Sequence, residues 1–280
     1  VEQDLITNNF KAEISFTDRK GEFTSNSGSS KIEFPINQYI SFIDQFTWYM
    51  DEEKVAFSSE VSDKTSKKYD DMSMDEMADI DLEGARFVSI HPGQDSLEFT
   101  AEKAIYSRNN QTIDAKGVRM IRVADAAIFP DKQNVIIRKR AEMDELHQAK
   151  ILANTTTKYH TIKDAVVNIK GRYDYFGRGN YDYVDKNDKI QEIYLNNIYV
   201  DSTSMTNAQG KIKENDDFTL SPAFNYKGDV KLVSTDKYLT FDGGFQIRNH
   251  CDTLPKQWVQ FTSVIQPDDI KLPIDSNMQT

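Results

Sequence analysis

Short runs in which apolar and polar residues alternate with period two recur along most of the chain, each broken by a polar, turn-forming stretch. Residues 103–122 show the pattern most plainly. Ala104 and Tyr106 alternate with Ile105 and Ser107, Arg108-Asn109-Asn110-Gln111 interrupt, Ile113 and Ala115 resume, and Val118 and Met120 follow Gly117. Successive side chains of a β-strand point to opposite faces, so Ala104, Tyr106, Ile113 and Ala115 are predicted to share the buried face of one hairpin. Asn tolerates positive φ and hydrogen-bonds its own backbone, which suits the turn. Gly117 marks a corner where a side chain would obstruct the bend, ahead of a third strand.

The same grammar predicts further hairpins. Trp48 and Met50 precede a polar stretch and then Val55 and Phe57; Val88 and Ile90 precede Leu97 and Phe99; Ala127 and Phe129 precede Val135 and Ile137. Tyr181 and Tyr183 lead to Ile190, Ile212 to Phe218 and Leu220, and Val230 and Leu232 to Leu239 and Phe241. Turn spacings near roughly 20 residues fall in the range of β-solenoids and stacked β-rolls. The predicted fold class is all-β, an elongated, solenoid-like roll of stacked β-hairpins. A β-sandwich, which also gives turn signals at short intervals, is the alternative.

Three stretches depart from the grammar. Residues 1–34 are predicted to hold an N-terminal strand, over Phe10 to Phe16, and a flexible Gly/Ser loop around Thr24 to Ser30. Residues 35–255 form the repeat-like β domain. Within it Tyr39, Phe42, Ile43 and Phe46 stand at helical spacing, so residues 37–46 read either as helix or as an irregular strand. Residues 60–84 form an acidic insert, read as a solvated loop with one helical turn near Asp75 to Ala78. Residues 256–280 contain Pro267 and Pro273 with little alternation after Phe261 and are predicted to be an extended tail or a linker to a following domain.

Composition narrows the setting. A hydrophobic fraction of 38% is low for a compact globule of 280 residues and fits an elongated body with more surface per residue. The formal net charge of −11 opposes binding to nucleic acid, whose affinity rests on Lys and Arg neutralising phosphate, and opposes docking on anionic lipid surfaces. Cys251 is the only cysteine, so no intramolecular disulfide forms, and a free buried thiol is expected. No apolar run approaches the length of a membrane-spanning helix. No signal peptide is visible and Val1 is not a start methionine, so the chain reads as a mature protein or an excised fragment.

Candidate chemistry is sparse. His91, His147, His160 and His250 lack metal-type spacing, and no nucleophile elbow, phosphate-binding loop or dinucleotide fingerprint occurs. No catalytic residue, metal site or cofactor is expected. Asp70-Asp71 and Asp79-Ile80-Asp81 supply hard oxygen ligands of the kind calcium takes, but their spacing is not that of an EF-hand loop. Tyr173, Tyr175, Tyr181 and Tyr183 crowd around Gly177 and Gly179. They are candidate ligand-binding residues if their rings face solvent and stack on sugars, and simple strand residues if they do not.

The unit AIYSRNNQTIDAKGVRMI, with Asn225 to Val230 and Leu239 to Gly243, resembles the repeating strand unit of OstA-like periplasmic lipopolysaccharide-transport proteins. In that family a small residue, an aromatic, a polar turn, an apolar pair and a glycine-led strand recur. The resemblance implies an open stacked β-roll with an apolar groove that carries lipid. It covers about half of the chain, and the insert at 60–84 interrupts it. The expectation is a non-catalytic scaffold or bridging protein of the periplasm or cell envelope, with lipid, a glycan or another envelope protein as partner. A carbohydrate-binding module using the four tyrosines is the alternative.

Overall fold

The computed structural model describes residues 3–58, 63–248 and 257–271. Among these, the strands form two large antiparallel sheets, one of 16 strands and one of seven. The all-β reading holds. None of the helices among the described residues is long and apolar enough to cross a membrane.

Up to Asn134–Ile137 the chain changes sheet after every hairpin. Phe10–Ser15 and Lys20–Ser25 lie in the seven-stranded sheet, Ser30–Phe34 and Tyr39–Ile43 in the larger one, Gln45–Tyr49 and Lys54–Ser58 in the smaller again. Ala85–Ser89 with Glu98–Ala101, Lys103–Ser107 with Thr112–Lys116, and Ile121–Val123 with Ala126–Phe129 continue the alternation. Each hairpin then pairs sideways with the next one in its own sheet, as Lys54–Ser58 does with Lys103–Ser107. Period-two patterning gives every hairpin one apolar face, and alternation lets the two sets of faces cover each other. The Phe34 ring of the large sheet lies 5.5 Å from Phe57 and 5.6 Å from Tyr106 of the small one, centroid to centroid.

The remaining strands use one sheet only. Leu146–Leu152, Thr161–Gly171, Asp174–Val184, Ile190–Val200, Thr206–Ile212, Phe224–Val233, Thr240–Ile247 and Val259–Val264 extend the large sheet as a meander. The meander curls until its own faces meet: Tyr183 and Phe241, on strands four steps apart, have ring centroids 5.7 Å apart. Bulges break the register between Leu146 and Ile151 and between Gly177 and Gly179, where the sheet must bend. Facing Gly228 and Gly243 let two strands approach closely under the Tyr226 hydroxyl; a Cβ on Gly228 would meet the Gly243 Cα at 2.6 Å.

Several expectations are corrected. Gly117 (φ +71°) does make the predicted corner, but the strand after it joins the other sheet. Ala127 and Phe129 do not form a hairpin with Val135 and Ile137: the chain crosses between sheets at Pro130, through Lys132 and Gln133 at positive φ. Thr219–Ser221 pairs with Phe224–Val233 rather than with the Ile212 strand. Residues 37–46 are strands, Tyr39–Ile43 and the start of Gln45–Tyr49, because the large sheet offers Ala85–Ser89 as a partner. The predicted N-terminal loop is a short turn over residues 26–29, and both its ends belong to strands, Lys20–Ser25 and Ser30–Phe34. In the predicted tail, Val259–Val264 pairs with Thr240–Ile247. Cys251 and His250 lie outside the described residues.

The insert is not a solvated loop. It forms helices Asp63–Asp70 and Met74–Ala78, the second opened by Ser73, whose hydroxyl accepts from Glu76 N while the Glu76 carboxylate accepts from Ser73 N. Met74, Met77, Ala78 and Leu82 pack on Ala127, Phe129 and Leu152 of the large sheet and on Met120, just before its strand Ile121–Val123. This second small core explains why every residue of Ala126–Phe129 is buried: one face meets the small sheet, the other the insert.

Candidate functional site

Two cross-strand rows make up the inner face of the seven-stranded sheet. One runs Ile14, Gly21, Trp48, Val55, Tyr106, Ile113, Ile137 and the other Ala12, Phe23, Phe46, Phe57, Ala104, Ala115, Val135. Apart from Gly21, which is buried and has no side chain, burial falls toward the first strand. Tyr106, Ile113 and Ile137 are at 1% exposure or less, Trp48 is at 38% and Ile14 at 48%. The cause lies in the opposite layer. At this end the large sheet finishes in the two-residue strand Ile6–Thr7, too short to cover what faces it. Phe10–Ser15 pairs only with Lys20–Ser25 among the described residues, so the same end also carries a free edge.

A cavity of about 400 Å³ opens between the layers here. Leu5, Phe23, Phe46, Trp48 and Val55 supply apolar walls, with the Phe23 and Phe46 rings stacked at 4.4 Å. The rim is charged. Arg108 Nε donates to Asp4 at 2.6 Å, and that bond with the Asp4 charge holds the guanidinium above its ordinary pKa. Tyr106 lines the cavity, and its buried hydroxyl finds no partner among the described residues. Burial, with the Asp4 charge added, pushes that phenol up to about 12, so it stays a neutral donor. An apolar trough ending in an unspent O–H and a charged rim suits a ligand with an apolar chain and a polar head.

The four candidate tyrosines do not form one surface. Tyr175 (0% exposed) and Tyr183 (3%) face the core; their hydroxyls meet Thr206 Oγ1 at 2.8 Å and the Leu220 carbonyl at 2.9 Å, and burial pushes both phenols up. Tyr181 is half-buried against His160, and Tyr173 alone is exposed, beside Arg172. Alternation placed these rings on strands but carried no information on which face is covered. Nor do the acids of the insert gather. Asp70 accepts from Arg119, Asp79 from Lys158 and Asp81 from Arg122, so each ties the insert to the β domain, the last directly to the strand Ile121–Val123. Among the described residues no three His, Cys, Asp or Glu side chains gather as a metal site. His91 caps a turn by accepting from Gly93 N, and His160 is buried between the Asp236 carbonyl and the Tyr181 hydroxyl.

Sequence reasoning missed the open end as a site. Its signal was present in Phe10, Ile14 and Phe16, apolar residues of one parity on a strand otherwise polar, but what lies opposite that strand is not local information. The chain matches no family model, no curated protein and no solved structure.

Proposed function

We propose that this protein is a non-catalytic binding and bridging scaffold of the bacterial cell envelope. In this reading the first half is a stacked β-roll, and its interior receives an acyl chain through the open N-terminal end. The observation that carries the proposal is the burial gradient along Ile14, Trp48, Val55 and Tyr106, which ends in the 400 Å³ apolar cavity. Hairpin-by-hairpin alternation between two sheets supports the roll, as does the resemblance of residues 104–121 to the OstA-like unit. The chain lies lengthwise against Phe23, Phe46 and Trp48, and the Tyr106 hydroxyl and Arg108 meet its polar head. An acyl chain suits the cavity better than a sugar, because the walls are hydrocarbon and stacked rings rather than paired polar groups. The bridging role rests on Phe10–Ser15 and Val259–Val264, which are edge strands among the described residues and offer backbone groups for strand addition by another envelope protein.

Native mass spectrometry of the protein incubated with a lysophospholipid tests the binding role. One bound lipid per chain is expected, with loss of the adduct in Trp48→Glu. A chain that stays ligand-free at saturating lysophospholipid ends the reading.

A further inference from the structure

A different cavity, of about 400 Å³, lies on the outer side of the large sheet beside the end of the insert. Three guanidinium groups line it, from Arg86, Arg122 and Arg172, together with the carboxylates of Asp81 and Glu98. In a chain of net charge −11, three arginines around one hollow call for a reason. Arg122 is largely committed: it donates to Asp81 and to the carbonyls of Ala78 and Ile80, and so holds down the insert. The other two are not. Arg86 rests over the Phe42 ring at 5.0 Å, and Glu98 Oε2 approaches it only to 4.0 Å. Arg172 rests over Tyr173 at 5.7 Å, and its guanidinium makes no hydrogen bond or ion pair among the described residues.

Ring stacking leaves the N–H edges of a guanidinium free, and those edges match the paired oxygens of a phosphate or carboxylate. Asp81 and Glu98 offset two of the three guanidinium charges, so the lining keeps a net charge of +1 (3 − 2). A phosphomonoester offers three acceptor oxygens, enough to take an N–H edge from each of Arg86 and Arg172, where a carboxylate offers two. The cavity is larger than the anion needs, and Leu82 and Met120 give the remainder an apolar wall.

We propose that this pocket binds a small organic phosphomonoester, with Arg86 and Arg172 gripping the phosphate and its carbon body lying on Leu82 and Met120. The site is separate from the apolar interior, on the opposite side of the large sheet, and stands whether or not that interior holds lipid.

Isothermal titration with phenyl phosphate, inorganic phosphate and phosphatidic-acid vesicles tests it. Saturable binding of phenyl phosphate is expected, at least tenfold weaker in Arg172→Gln and in Arg86→Gln. Arg86→Lys and Arg172→Lys should give a smaller loss, since charge remains and the fork is gone. Both arginines are exposed, so the variants should melt with the parent; Lys231→Gln, a cation elsewhere on the surface, should bind as the parent does. Inorganic phosphate bound as tightly as phenyl phosphate would overturn the role of Leu82 and Met120. Binding seen only with vesicles would overturn the soluble ligand. No saturable binding of any probe, or phenyl phosphate binding indifferent to both arginines, overturns the site.

Discussion

The two halves of the large sheet solve the same problem differently. Up to Ile137 a second sheet covers its inner face, and small residues such as Ala101, Ala104 and Ala115 suffice where the layers approach. From Leu146 onward no second sheet exists among the described residues, and the meander covers itself by curling. Its phenols then work as struts: Tyr175, Tyr183 and Tyr226 are buried, and each hydroxyl has a partner, Thr206 Oγ1, the Leu220 carbonyl and the Asp229 carbonyl respectively. Tyr106 in the first half is as buried, yet its hydroxyl has none. Curling brings the ends of an interior together, whereas stacking leaves the last layer without a neighbour. Openness at residues 6–58 is thus a consequence of how the first half is built.

The largest expected effects come from the two ends of the burial gradient. Phe57→Ala removes a ring at 2% exposure and should cost about 3–5 kcal/mol, while Ile14→Ser at the open edge should cost less than about 0.5 kcal/mol. Equal losses in urea unfolding would mean that the edge is covered after all.

Next comes the joint between the halves. Asp125 sits in the turn after Ile121–Val123, and its carboxylate accepts from Thr206 N at 2.9 Å, Thr206 Oγ1 at 2.6 Å, Asn154 Nδ2 at 3.2 Å and the Ser234 hydroxyl. Asp125→Ala leaves these donors without the acceptor and should cost about 3 kcal/mol. Unfolding followed at Trp258 should shift more than unfolding followed at Trp48, because Thr206 and Ser234 belong to the meander.

The tyrosines sharpen the contrast at smaller scale. Tyr183→Phe strands the Leu220 carbonyl and should cost about 1–2 kcal/mol, whereas Tyr106→Phe removes an unpaired buried hydroxyl and should leave stability unchanged or slightly raised. The reverse order in thermal melts would contradict the assignment of closed and open interiors.

The smallest effect is with pH. Burial holds the His160 pKa below 6.5, partly opposed by the Asp236 carbonyl, so the folded state keeps a neutral ring where the unfolded chain takes up a proton. The stability this ring contributes is present above pH 6.5 and is lost as pH falls below it. His160→Gln should flatten the melting temperature between pH 7 and pH 5 relative to the parent.

How much was legible depended on how local the determinant was. The hairpin at Lys103–Ser107 and Thr112–Lys116 was readable to the residue, since Ala104 opposes Ala115 and Tyr106 opposes Ile113, and only neighbours along one ribbon decide that. The same signals misled at Phe129 and Val135. Pro130 and two positive-φ residues announce a turn there, but whether the next strand returns or crosses depends on a partner, Thr112–Lys116, that the local pattern does not name. The insert's second helix was legible as one helical turn near Asp75 to Ala78, while its docking was hidden: Met120, Ala127 and Phe129 read as hairpin positions, and nothing local says that the insert covers them. The open end was hidden for the opposite reason: Ile14 and Trp48 look like core, and only the missing cover makes them surface.

The two tryptophans give the most direct test, one at the open end and one on the meander beside Lys227. Titration with a fatty acid brominated along its chain, read in Trp258→Phe and Trp48→Phe proteins, compares them. Saturable quenching of Trp48 with Trp258 unaffected is the predicted result. No quenching of Trp48, or equal quenching of both, would contradict an interior that opens at the N-terminal end to take an acyl chain.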